Sequence, residues 1–586
     1  MSSQKYENML NLALETPEEE RALSESLNVG YNVNEDTWQV IIRYNGSIEF
    51  LRDYGASIIY LIANYAILTI PESLLERLDT FNEIIYVEMP KSLYLSVVNG
   101  IRVSCINPVQ VSYFSAGVQS GGLFGSGVIC AVIDSGIDYA HSAFRNLDGT
   151  TRILELWDQT IPGNPPEGYA LGTVYTSDTI NEALAEENEA ERYRIVPSRD
   201  LSGHGTHVAG IMAGNFAVNK NNNLGIATRS PLIIVKLNTN TNNGFPRTTE
   251  LMQALDYIYR AAVRYQMPVS VNLSFGNSYG SHDGTSLLET FIDDMANLWK
   301  MSISIGTGNE GSSSGHSEEY FLDGETKDIE FSVAGYETAL NIQIWKAYQD
   351  RFGFVLYAPG SNYGIVINDT LGKQTAEAGN TRILIYYGEP SPYSLYQEIY
   401  IEFIPISRDM PYINDGIWRI EVTAQQVESG RIDMWMPDSA ALNNNTFFLR
   451  PSPDVTLTIP STTASAISVG GYNAANSAYA DFSGRGFTRL TNQVRPDITA
   501  PAVNISSAAV GGGMTVKSGT SMATPFVSGS AALLMEWGIV RGNDSYLYGE
   551  KLKAYLIKGA KPLPGESVPS PKTGWGALCV RDSLPV

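Results

Sequence analysis

The chain has 586 residues and carries 39 basic against 62 acidic side chains, a formal net charge of −23. That length exceeds one ordinary domain, while the charge argues against nucleic-acid partners and against anionic membrane surfaces. A 43% hydrophobic fraction with 33 tyrosines marks a globular chain, and no apolar stretch is long enough to cross a bilayer.

The first residues show no secretion-signal pattern, because Glu15, Glu18, Glu19 and Glu20 break any apolar run. Strand signals follow over 38–44, 57–62, 65–70 and 84–88, with a helix over 71–79 that carries Pro71 in its first turn. They make a small α+β unit that ends in a Gly/polar stretch over 97–105. The continuous apolar run 128–133 reads as a central parallel strand. It delivers Asp134 to the carboxyl end of that strand, where catalytic groups of such sheets gather. Asp138 reads as a local capping residue. Gly203-His204-Gly205-Thr206-His207-Val208-Ala209-Gly210 then sets a histidine between glycines at the start of a small-residue helix. His207 reads as a supporting polar group: its spacing from His204 does not match a His-x-x-x-His zinc helix, and no third ligand is evident. His141, His282 and His316 read as exposed or structural. The stretch 219–223 offers amides and no carboxylate, so calcium is not expected there, and no other metal or cofactor is implied.

Further on, 268–273 reads as a strand ending in Ser274-Phe275-Gly276. Another strand, 301–306, precedes Thr307-Gly308-Asn309-Glu310-Gly311. Between 317 and 451 lie eight short strand signals, at 329–333, 340–345, 352–357, 363–367, 382–387, 398–406, 417–423 and 431–436. Separated by Gly, Pro and Asn/Asp turns, they predict an antiparallel sandwich of jelly-roll type. This insert carries no catalytic constellation; it reads as a staple between two parts of the catalytic domain, or as an exosite for a substrate or partner. Gly519-Thr520-Ser521-Met522-Ala523-Thr524-Pro525 reads as a serine nucleophile at the start of a buried helix. Gly519 permits the close turn, and the unpaired N–H groups and positive helix end beside Ser521 favour a developing oxyanion. A late helix is expected over 547–557. These residues assemble into one reading: His204 takes the proton of Ser521, while Asp134 holds the imidazole in its tautomer and stabilises the imidazolium. Cys105, Cys130 and Cys579 cannot form a complete disulfide set; Cys130 reads as a buried thiol, and this usage fits a reducing compartment.

The order Asp, His, Ser, in Asp134-Ser135-Gly136, His204 to Gly210 and Gly519 to Pro525, resembles the subtilisin-like serine proteases (subtilases) over 103–316 and 452–586. The resemblance implies an α/β fold around a parallel central sheet, serine endopeptidase activity and a protein substrate. It implies Asn309 as side-chain donor of the oxyanion hole, a role worth about 3–4 kcal/mol of transition-state stabilisation. It implies that the 268–273 strand is an edge on which an extended peptide docks. Ser274, Phe275 and Gly276 would line one side of the pocket for the residue before the cut, and Gly306, Thr307 and Gly308 the other. Residues 1–102 resemble the family's intramolecular-chaperone prodomain, which implies self-cleavage near Arg102–Val103 and a prodomain retained noncovalently as a product-like inhibitor. Prodomain, triad, missing signal sequence and mid-domain insert (317–451) together resemble the Csp germination proteases of clostridial spores. That subgroup implies a place in the spore (cortex/coat region) or in the mother-cell cytoplasm, and limited cleavage of a cortex-lytic enzyme zymogen. Two alternatives stay open: an intracellular or exported subtilase with another substrate, and a prodomain-clamped scaffold that is not an enzyme.

Overall fold

The computed structural model describes residues 5–6, 8–15, 31–32, 35–60, 64–88, 96–115, 118–215, 225–238, 246–390, 394–406 and 409–585. The 219–223 stretch and residues 61–62 of the second expected strand lie outside them. The chain forms two units, Met1–Tyr94 and Leu95–Val586.

In the first unit, Thr37–Tyr44 pairs antiparallel with Tyr65–Pro71 and with Ile84–Glu88, and Tyr65–Pro71 also pairs with Ser57–Tyr60. Trp38, Val40 and Ile42 alternate onto the buried face, as period-two spacing requires. A helix the sequence reading did not include, Asn8–Glu15, adds Leu10 and Ala13 to this core. Pro71 is the last strand residue and caps a short Glu72–Leu75 helix rather than lying inside a longer one. Its fixed φ suits both places.

The second unit is built on a nine-stranded sheet. Its interior runs Ile153–Asp158, Leu232–Lys236, Ile129–Asp134, Val269–Leu273, Met301–Gly306 and Ile467–Asn473, all parallel. Side chains of the aspartate strand alternate between two cores. Cys130 and Val132 face the helices His204–Ala213 and Thr520–Met535, while Ile129, Ala131 and Ile133 face Thr248–Tyr265. Each fully buried Ile or Val of this kind contributes about 1.5–3 kcal/mol. Val269–Leu273 lies between two neighbours, so it is not the free edge that was expected. Its five consecutive buried residues need cover on both faces, which only an interior strand provides. Only the segment beyond it, from Ser274, is free of the sheet.

The insert is a two-sheet antiparallel sandwich. One sheet has six strands, from His316–Tyr320 at one edge to Gly372–Ala378 at the other; the second has five, including Thr326–Val333 and Gly416–Gln426. Phe331, Phe354, Phe403, Trp418 and Phe448 fill the space between them. Gly372–Ala378 had no strand signal because it is a polar edge that pairs only with Thr381–Tyr387 and leaves no side chain buried.

The first unit ends at Tyr94, short of the boundary expected at 102. Residues Ser96–Val103 form a helix of the second unit, with Ile101 in the main core and Val103 against Tyr472 and Leu563. The cysteine reading also needs correction. Cys105 and Cys579 form a disulfide across a sequence separation of 474, with Val580 N–H donating to Ser104 O at 3.0 Å beside it. No local spacing could reveal that pairing, and the argument for a reducing compartment falls with it. Cys130 is a buried thiol, with burial pushing its pKa up to about 12. Cys579→Ser, or reduction with dithiothreitol, is expected to lower unfolding stability by about 2–4 kcal/mol, read from urea midpoints of the oxidised and reduced protein.

Candidate active site

Three strand ends on one edge of the parallel sheet present the expected residues: Asp134 ends its strand, Ser274 follows Leu273, and Asn309 follows Gly306. Asp134 is fully buried, and its Oδ1 meets His204 Nδ1 at 2.7 Å; the His204 side chain is 27% exposed. With Nδ1 donating, Nε2 is left as the basic nitrogen. Burial pulls the His204 pKa down, but the Asp134 carboxylate more than offsets it, so the net shift is upward; Asp200 adds to the rise and Lys517 opposes it. Gly205 must be glycine, because a Cβ there would stand 2.1 Å from Gly136 O and 3.1 Å from Asp134 Oδ1.

Ser521 is the second residue of its helix, half-buried, with a main-chain N–H that has no intrahelical acceptor. Gly519 supplies the turn at φ +145°, a region closed to side-chain-bearing residues. Among the described residues, the Ser521 hydroxyl has no hydrogen-bond partner. Catalytic hydrogen bonds in an empty site are often long and tighten when substrate binds. Other contacts bring the constellation together. Ser274 Oγ reaches Ser521 O at 3.5 Å, and the Phe275 ring centroid lies 6.5 Å from that of His204. Asn309 Oδ1 accepts the Thr520 N–H at 3.0 Å, which leaves Asn309 Nδ2 as the free donor beside the serine turn. On the opposite wall, Gly306 lies over the serine helix. Thr307 is buried; its N–H donates to Val469 O and its carbonyl accepts the Thr458 N–H, each at 3.0 Å. Gly308 and Gly276 both abut Thr458.

Asp200 was missed, and it organises the histidine loop. Its Oδ2 accepts the Thr206 N–H and hydroxyl at 2.8 and 2.7 Å, and its Oδ1 accepts from Gly203 N, Ser135 Oγ and Ser202 Oγ. An aspartate just ahead of a helix that begins at His204 is a helix-capping signal, and its charge suits the positive helix end. Asp138 accepts from Ala140 N locally, as expected, and also from Gly511 N at 2.9 Å.

His207 and His282 are buried among carbonyls. His207 Nε2 lies 3.0 Å from Ile505 O, and His282 Nδ1 lies 2.8 Å from Leu457 O. His282 and His316 both stack on Trp435, at centroid distances of 4.2 and 4.5 Å, which makes them structural. Burial pushes both His207 and His282 down to about 4. The unfolded chain therefore binds these two protons before the native state does, so their stabilising contribution is present above about pH 6.5 and is lost as pH falls toward 4. Between pH 7 and pH 5 the urea-derived stability should drop by about 4 kcal/mol from this pair, partly offset by His204, whose shift has the opposite sign.

Among the described residues, no group of three or more His, Cys, Asp or Glu side chains could hold a metal ion, and no helix is long and apolar enough to cross a membrane.

The Subtilase family profile matches residues 125–393 and 438–576, and the Csp protease B prodomain profile matches residues 4–91. The solved structure of the CspB protease of Clostridium perfringens is 36% identical, covers 83% of this chain and 96% of that chain, and superposes with a TM-score of 0.74. The Subtilisin-like protease SBT3 of Solanum lycopersicum is 24% identical over 481 residues, 72% of this chain and 56% of that protein. The PII-type proteinase of Lactococcus lactis subsp. cremoris is 46% identical over 63 residues, 11% of this chain and 3% of that protein. The chain thus spans about half the length of the plant protein and a small part of the lactococcal one.

Proposed function

Because the chain belongs to the subtilase family, we propose that it is a serine endopeptidase in which Ser521, His204, Asp134 and Asn309 carry the chemistry. The observation that supports this most is the 2.7 Å contact between buried Asp134 and His204, on the sheet edge where Ser274 and Asn309 also tie to the serine helix. Ser521 Oγ attacks the substrate carbonyl carbon while its proton passes to His204 Nε2. The oxyanion is met by the Ser521 N–H and Asn309 Nδ2. The same proton then goes to the leaving amine, and water repeats the cycle on the acyl-enzyme. Substrate lies in extended form between the Ser274–Gly276 segment and the Gly306–Gly308 segment.

The first unit acts as a prodomain that the enzyme cuts from itself and then retains noncovalently. Protease clefts of this kind take extended peptide, and the Arg102–Val103 bond lies in a helix. The cut therefore belongs ahead of Ser96, in line with the prodomain match ending at 91 and the first unit ending at Tyr94. The resemblance to the Csp germination proteases, which the Csp protease B prodomain match supports, points to a spore-germination role: limited cleavage of a cortex-lytic zymogen, with the protein held in the spore or made in the mother cell. Labelled fluorophosphonate should modify the purified protein at Ser521, located by peptide mass spectrometry, and the large fragment should begin between 92 and 96 by N-terminal sequencing. A folded protein that takes no label would favour the scaffold reading and overturn this one. Purified protein should also convert recombinant cortex-lytic zymogen at a single bond.

A further inference from the structure

A loop of the sandwich, between its Arg431–Trp435 and Phe447–Phe448 strands, lies next to the two pocket walls. The Arg431–Trp435 strand runs through Met436 and Pro437 to Asp438, which caps a turn at Ser439–Ala441. Ser439 donates twice to Glu310: its N–H reaches Oε2 at 3.2 Å and its hydroxyl reaches Oε1 at 3.0 Å. Glu310 directly follows Asn309 and opens the Glu310–Ser312 turn. One residue back, Asp438 Oδ1 accepts the Ser278 hydroxyl, just beyond the Ser274–Gly276 wall. The same 278–282 loop is held by the sandwich at further points, Gly280 N–H on Gln343 Oε1 at 2.9 Å, Tyr279 Oη accepting from Asn341 Nδ2 at 3.5 Å, and the His282 ring on Trp435.

We propose that Ser439, acting through Glu310, is a positioning residue for Asn309, so that the inserted sandwich sets the alignment of the oxyanion donor. Asn309 is exposed, and among the described residues its side chain is tied to Thr520 alone, through Oδ1. The direction of Nδ2 therefore depends on how the main chain of 308–310 is held. Gly308, at φ +82°, accepts the Gly484 N–H at 3.1 Å, the Gly311 N–H donates to Phe482 O at 2.9 Å, and between these two anchors the Glu310 carboxylate is held by Ser439. The contact also brings Glu310 close to Asp438, whose carboxyl burial and then the Glu310 charge push up to about 7. Crowding two carboxylates is unfavourable, and a passive loop of the sandwich would not need it.

The proposal rests on the catalytic reading above, and its test separates the two. The probe is a labelled fluorophosphonate, whose attack by Ser521 places negative charge on an oxygen in the same hole. Ser439→Ala and Glu310→Ala should slow the maximal inactivation rate about threefold to tenfold, a fraction of the roughly 10²–10³ that loss of the whole donor costs. Apparent probe affinity and the urea midpoint should stay unchanged, and Ser439→Thr should restore the rate. In an Asn309→Ala background, Ser439→Ala should produce no further slowing. Equal slowing in both backgrounds, or a flat response in the wild-type background, would overturn the positioning role alone. Failure of the wild-type chain to label would overturn both readings.

Discussion

Ser521→Ala is expected to purify as one uncut 64.0 kDa chain where the wild type should yield two fragments, and to lose about 10⁶-fold in kcat. The size of the loss follows from what is removed. Without the hydroxyl there is no acyl-enzyme, and His204 and Asp134 have no nucleophile to serve. What remains is the oxyanion hole and binding, which still exceed the uncatalysed rate by about 10³–10⁴. Folding should be indifferent to the change. The Ser521 hydroxyl has no partner among the described residues, and alanine has the higher helix propensity, so the urea midpoint should hold or rise slightly. Retention of the uncut prodomain in Ser521→Ala, with a normal midpoint, would tie processing to this hydroxyl. Cleavage at the wild-type rate would remove Ser521 from the mechanism.

The site was legible in the chain because its chemistry is local. Gly519, Gly205 and Gly308 stand where a Cβ or a negative φ cannot, and they flag the turns that carry Ser521, His204 and Asn309. The central strands were legible for another reason: burial on both faces leaves a continuous apolar run such as 128–133. What escaped depends on partners distant in sequence. Cys105 meets Cys579 because the stretch after the Ser96–Val103 helix, through Ser104 and the Asn107–Val111 helix, docks beside the C-terminal Val580–Ser583 helix. The interior place of Val269–Leu273 needs the neighbours on both sides to be known. Asp200 carried a signal, a capping aspartate before a helix, but its grip on Ser135 across 65 residues did not show. The Ser439–Glu310 contact, across 129 residues, is of the same kind. Local stereochemistry thus marks the candidate residues, and tertiary contacts decide how firmly they are held.

Asp134→Asn should lower kcat by about 10⁴ at neutral pH and also displace the acid limb of kcat/KM toward lower pH. Two consequences follow from one contact. The carboxylate can only accept, so it fixes the proton on His204 Nδ1 and leaves Nε2 basic; an amide can turn its NH₂ toward Nδ1 and favour the opposite tautomer. That accounts for the loss in rate. The displaced limb comes from charge. In the wild type, burial pulls the His204 pKa down and Asp134 raises it beyond that pull, so the base becomes protonated, and activity falls, at a pH above the ordinary histidine value of about 6.5. In the variant, burial and Lys517 still pull down and only the weaker influence of Asp200 raises, so protonation of His204 should need more acid than the ordinary value. Rates against a fluorogenic casein from pH 5 to 9 would read both effects, with urea midpoints as the control for folding. A reduced rate with an unmoved acid limb would mean that Asp134 aims the imidazole without setting its charge, and a normal rate would exclude it from the relay.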